Sequence, residues 1–240
     1  MDFLKPFVLP VPSRAPERHD TLDLYLPDDI ERPRPAILFV HGGPLPPEVQ
    51  PRPRDWPVFQ GYGSLAAARG TVGAVVGHRL HSPDAYGTAA GDVQAAVESL
   101  RGDPRVDGER LALWFFSGGG LLAADWLREP PAWLRALALS YPLLAPFPGW
   151  PVSERFDPIE AVAGAGDLPI VLTRAGRERP ELAQAVQTFV DAAAKARLEI
   201  VDVPDGRHSF DVLDDDDASR AAISRAADLV LAALVKGEAD

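Results

Sequence analysis

Short apolar runs, separated by stretches with helical spacing, set the first limit on how this chain can fold. Ala36-Ile-Leu-Phe-Val-His41, Thr71-Val-Gly-Ala-Val-Val-Gly77 and Leu111-Ala-Leu-Trp-Phe-Phe116 are apolar with little alternation, and Leu134–Ser140, Leu168–Gly176 and Leu198–Val203 are further strand candidates. A strand reads this way when both of its faces are covered, the situation of a parallel sheet flanked by helices. Between these runs, Asp84–Arg101 places Ala85, Ala89, Val93, Ala96, Val97 and Leu100 on one helical face. Glu181–Ala196 does the same with Leu182, Val186, Phe189, Val190 and Ala193, and Asp217–Val235 with Ile223, Ala227, Val230, Leu231 and Leu234. Shorter helices are expected at Ser64–Arg69 and near Pro158–Ala163. Thr21–Pro27 alternates apolar and polar residues, which predicts a half-buried, antiparallel strand. The sum predicts one α/β domain over residues 1–240: a mostly parallel, doubly wound sheet with helices on both faces and little or no cap domain.

Composition removes several function classes. The chain of 240 residues has a net charge of −11, which repels phosphate backbones and anionic lipid, so neither nucleic acid nor membrane is expected as a partner. With no cysteine it has no disulfides, thiolate metal sites or thiol nucleophiles. Lys5, Pro6, Pro10 and Pro12 interrupt the opening residues before a long apolar run develops, and no stretch reaches the roughly 20 apolar residues of a membrane span. A cytoplasmic location is the expectation.

In a sheet of this kind ligands collect at the carboxyl ends of the strands, and three exit turns there carry reactive side chains. Ser117 ends the Leu111–Phe116 run and is followed by three glycines and the start of a predicted helix; Glu178 follows the strand ending near Ala175; His208 follows the strand ending at Val203. A serine hydroxyl is a weak nucleophile until a neighbouring imidazole takes its proton, and a carboxylate on the other ring nitrogen fixes the imidazole's tautomer. His19, His78 and His81 precede the serine and do not fit the base position. Glu181 is the alternative acid; Asp205 shares a turn with His208 and is badly placed to reach its ring. Asp214–Asp217 are expected to cap the last helix and not to bind a metal. Phosphate-loop and dinucleotide fingerprints are missing. From Pro44 to Pro57 the prolines predict a loop beside the crevice.

With these residues in hand, the chain resembles the α/β-hydrolase superfamily over nearly its whole length, in particular its small esterase and dienelactone-hydrolase-like branch. Phe115-Phe-Ser-Gly-Gly119 is similar to that fold's Gly-x-Ser-x-Gly turn, departing at Phe115. The order Ser117, acid, His208 is the order the fold uses, and His41-Gly-Gly-Pro44 resembles its His-Gly-Gly-Gly signature. Leu22-Asp-Leu-Tyr-Leu-Pro27 and Gly206-Arg-His-Ser-Phe-Asp-Val-Leu-Asp214 are similar to stretches common in the branch. The resemblance implies a serine hydrolase that needs no cofactor and cleaves a small carboxylic ester through an acyl-enzyme at Ser117. It implies an oxyanion hole formed by the N–H groups of Gly118 and Gly43, since Pro44 has none to offer. Two other readings stay open: an amide or peptide hydrolase of aminopeptidase type, and a silent hydrolase fold kept for binding. The acyl and alcohol groups and the oligomeric state are not legible.

Overall fold

The computed structural model describes residues 2–235. The chain runs β1 (Glu17–Arg18), β2 (Leu22–Tyr25), β3 (Arg34–Val40), α1 (Pro57–Ala68), β4 (Val72–Val76), α2 (Tyr86–Gly102) and β5 (Val106–Phe116). After a 3-10 turn come α3 (Ala124–Arg128), β6 (Leu134–Ser140), α4 (Pro158–Ala161), β7 (Ile170–Arg177), α5 (Pro180–Ala192), β8 (Leu198–Arg207), α6 (Phe210–Leu213) and α7 (Asp217–Val235). The eight strands form one sheet in the order β1-β2-β4-β3-β5-β6-β7-β8. β1 and β2 are antiparallel additions, and β4 through β8 run parallel.

Alternate residues of each central strand feed two separate cores. Leu111, Leu113 and Phe115 of β5 face the side covered by α2, α3, α4 and α5, while Ala112, Trp114 and Phe116 face the side covered by α1 and α7. The period-2 side-chain alternation of a strand therefore serves two apolar layers here, which is why the run has no polar positions. Each large side chain so buried contributes about 1.5–3 kcal/mol.

From β3 the chain moves outward to β4, then returns past β3 to β5, so the direction of winding reverses between β3 and β5. The loops leaving these two strands diverge there and leave a crevice at their carboxyl ends. His41-Gly-Gly43 leaves β3 and Ser117 leaves β5, so both sequence signals meet at this switch point.

Four local expectations need correction. The alternation in Leu22–Tyr25 predicts one wet face, yet all four residues are buried. Asp23 is tolerated because Arg18 (2.7 and 3.0 Å) and Arg54 (3.1 Å) donate to its carboxylate, as a buried charge requires. The helix expected at Ser64 begins at Pro57, whose fixed φ suits a first helical position. Within it, Gly63 lets Tyr25 pack where a Cβ would lie 2.3 Å from the ring. The helix expected after Ser117 opens as a 3-10 segment, Ser117–Ala123, and becomes α-helical only at α3, because three successive glycines disfavour an α-helix and pack tightly against neighbouring backbone. Finally, β7 and β8 run on to Arg177 and Arg207, past Pro204. That proline is accommodated because β8 lies at the sheet edge. Between β6 and β7 the described residues hold only three short helical turns.

Candidate active site

The longer β7 and β8 deliver Glu178 and His208 to the same place. The two strands lie so close at Gly176 that a Cβ there would sit 2.0 Å from the Pro204 carbonyl oxygen. Only glycine permits that approach, and just beyond it the two exits converge. His208 Nδ1 lies 2.5 Å from Glu178 Oε2, and His208 Nε2 lies 2.7 Å from Ser117 Oγ. An ionised carboxylate only accepts, so Nδ1–H donates to Glu178 and Nε2 is left to accept the serine O–H. The second Glu178 oxygen accepts the Arg179 N–H at 2.9 Å. The Glu178 side chain is 6% exposed and that of His208 34%. Glu181, the alternative acid, is exposed on α5 with Arg179 at 3.9 Å, and Asp205 is exposed on β8.

Backbone strain gathers at the same spot. Ser117 (φ 47°), Tyr141 (φ 38°) and Ser209 (φ 62°) are the non-glycine residues in the left-handed region among the described residues, and all three line one cavity with His208. Each conformation costs about 1–2 kcal/mol. The serine's position follows from what surrounds it. At Gly42 a Cβ would fall 2.9 Å from the Ser117 Cβ, and at Gly118 one would fall 1.7 Å from the Gly43 carbonyl oxygen. The close approach that the fold's pattern places on its first glycine falls here on Gly42, Gly118 and Gly119, which leaves Phe115 free to fill the core on the α2 side. Gly118 stands in the first turn of a helical segment, where backbone N–H groups have no intrahelical acceptor. Its carbonyl accepts from Tyr86 Oη at 2.9 Å, which pins the turn from below. Gly43 lines the cavity beside Ser117.

The cavity has a volume of about 340 Å³, and Leu45, Trp56, Val58 and Phe59 supply one side of it. The proline-rich segment thus borders the crevice. His41 is not part of the relay: it is buried, stacks on His78 at 3.7 Å, and burial holds its pKa well below the ordinary histidine value. The four aspartates before α7 are engaged one by one. Asp214 pairs with Arg207, Asp215 and Asp217 pair with Arg220, and Asp216 caps the helix by accepting the Ser219 N–H at 2.8 Å. Among the described residues no group of three or more potential ligands could hold a metal, and no helix is long and apolar enough to cross a membrane.

Asp211 is a feature that motif reading missed. Its carboxylate is fully buried and accepts from Tyr141 Oη at 2.7 and 2.9 Å and from Tyr62 Oη at 3.0 Å. The Tyr141 ring meets the His208 ring edge-on at 5.0 Å, so this cluster reaches the imidazole through Tyr141. The one sequence signal was an aspartate three residues after His208; its tyrosine partners lie 70 and 149 residues away.

Burial pushes the Asp211 carboxyl up to about 6 from 3.8, against the opposing pull of the two phenols. A raised folded-state pKa means that protonation favours the fold. That contribution is present below the unfolded value and is lost as pH rises through about 6. Asp211→Asn does not titrate, so its stability relative to the parent is expected to climb by about 2 kcal/mol between roughly pH 4 and pH 7. Denaturant melts of both proteins at the two pH values check this; a constant difference would show that Asp211 is ionised throughout.

Comparison with known proteins matches this chain to no protein-family model and to no curated protein. Among solved structures it is similar to a thermophilic esterase of the Planctomycetes species Thermogutta terrifontis, with 18% identity, 91% of this chain and 90% of that one covered, and a TM-score of 0.68. It is equally similar to that organism's esterase 2 phosphorylated by paraoxon, at 20% identity, 93% and 90% coverage and a TM-score of 0.68. Dipeptidyl peptidase 4 of Porphyromonas gingivalis matches at 19% identity and a TM-score of 0.66, over 88% of this chain but 33% of the peptidase. The shared element is the fold, and it is of the α/β-hydrolase type.

Proposed function

We propose that the protein is a serine hydrolase that cleaves small carboxylic esters. The observation that supports this reading most is the Ser117–His208–Glu178 relay, with contacts of 2.7 and 2.5 Å at the sheet's switch point. Ser117 Oγ attacks the ester carbonyl carbon while His208 Nε2 takes the hydroxyl proton, and Glu178 stabilises the imidazolium through Nδ1–H. The tetrahedral oxyanion is met by the N–H groups of Gly118 and Gly43, each worth about 3–4 kcal/mol in the transition state. The alcohol leaves with the proton from Nε2. Water, deprotonated by the same nitrogen, then releases the acid from the acyl-serine.

The peptidase resemblance favours a second reading, an amide hydrolase. An aminopeptidase must hold a substrate ammonium, and leaving a charge unpaired in an apolar site is costly. No Asp or Glu is among the described residues lining the cavity, so the ester reading is preferred. A fluorophosphonate is expected to add one adduct per chain, mapped to Ser117, and p-nitrophenyl acetate to turn over far faster than aminoacyl p-nitroanilides. A folded protein that takes up no adduct eliminates both hydrolase readings, and the reverse substrate order selects the peptidase.

A further inference from the structure

The cavity beside Ser117 has a wall that comes from far away in the sequence. Phe3 lies against Trp56 with ring centroids 4.3 Å apart and planes 19° from parallel, and both rings line the cavity. Phe3 is fixed by the segment behind it. Phe7 packs on Tyr62 at 4.7 Å and fills the space over Gly61, where a Cβ would lie 2.3 Å from the Phe7 ring. The Val8 N–H donates to the Asp211 carbonyl at 3.0 Å, and the Arg14 N–H to Ser64 Oγ at 3.1 Å. Trp56 is held in turn by its indole N–H, which donates to the Pro51 carbonyl at 2.9 Å. The N-terminal segment is therefore strapped across α1 and onto α6, with Phe3 lining the cavity.

Phe59, Phe116 and Tyr141 join Phe3 and Trp56 in the lining, and apart from His208 the other large side chains there are aliphatic; no Asp, Glu, Lys or Arg lines it among the described residues. Aromatic walls accept a further ring in offset-stacked or edge-to-face geometry. A cavity of about 150 Å³ already holds benzene, and this one is about 340 Å³. Resting on the ester hydrolase reading, we propose that the site takes esters carrying an uncharged aromatic ring, and that Phe3 is the wall that selects for it. A carboxylated ring is disfavoured because no Lys or Arg among the described residues lines the cavity to pair with it, and the polar groups there, Ser117 and His208, are taken up by the reacting ester.

The test compares esters of similar leaving-group reactivity: ethyl acetate, ethyl hexanoate, ethyl phenylacetate, benzyl acetate and ethyl (4-carboxyphenyl)acetate. One of the two neutral ring esters is expected to exceed ethyl acetate in kcat/KM by about 10- to 100-fold, chiefly through KM, and the carboxylated ring to lose that advantage. Phe3→Ala is expected to reduce the ring-to-ethyl-acetate ratio several-fold, and Phe3→Trp, which restores a flat face, to recover it. Ring ratios near one, an aliphatic hexanoate preferred to both rings, or a ratio indifferent to Phe3→Ala overturns the proposal. Phosphonylation of Ser117 separates the two levels of argument: with an adduct and flat ratios only the ring assignment falls, and without an adduct the hydrolase reading falls and takes the ring assignment with it.

Discussion

Ser117→Ala is expected to lower p-nitrophenyl acetate turnover by about 10⁴-fold or more while leaving the thermal midpoint close to that of the parent. The loss is large because the proposed route runs entirely through a bond to Oγ, and without it His208 can activate only water, with no acyl-enzyme to divide the reaction into two easier steps. What survives is the contribution of the oxyanion donors and the cavity. Stability is expected to hold because the serine's left-handed backbone (φ 47°) is imposed by the β5 exit turn and the glycines packed around it, not by its hydroxyl. Alanine meets the same backbone penalty and loses one hydrogen bond, to His208. Turnover within tenfold of the parent, in a protein with an unchanged melt, means that the hydrolysis occurs elsewhere.

The second large effect is expected at Glu178. In Glu178→Gln one amide position can still accept the Arg179 N–H, which leaves the NH₂ group facing His208 Nδ1. Two donors then meet unless the imidazole moves its proton to Nε2, where it faces Ser117 and can no longer accept from it. A wrong tautomer of this kind lowers kcat by about 10⁴ in a serine protease, and a similar loss is expected here with KM little changed. Glu181→Gln supplies the control, since that carboxylate is exposed and lies 3.9 Å from Arg179. If Glu181→Gln is the damaging change, the relay has been assigned to the wrong acid.

Several features were readable because they follow from local patterns. Leu134–Ser140 has in the structure the bounds predicted for its strand, and α7 starts at the predicted Asp217. The serine, acid and histidine stand at strand exits as the spacing requires. Other features depend on partners distant in sequence. The wet face predicted for β2 fails because Arg18 and Arg54 fold over Asp23. The helix predicted after Ser117 starts as a 3-10 segment because Gly118 and Gly119 are spent on close contact with the His41-Gly-Gly43 loop and Gly120 on contact with Leu143. The Asp211 cluster and the Phe3 wall were invisible for the same reason, as their contacts join residues far apart in the chain.

By itself, then, the sequence determined the sheet's parallel core, the winding of helices on both faces, and that a serine, a histidine and one of two glutamates stand at strand exits, because strand burial and exit-turn chemistry are written in neighbouring residues. Only the tertiary structure decided that Glu178 and not Glu181 faces His208, that a buried carboxylate holds the Tyr141 ring packed against the imidazole, and that Phe3 of the N-terminal segment lines the cavity. Those are matters of distance across the fold. They are fixed by backbone approaches at glycines and by packing between segments, where a local pattern carries no record of the partner.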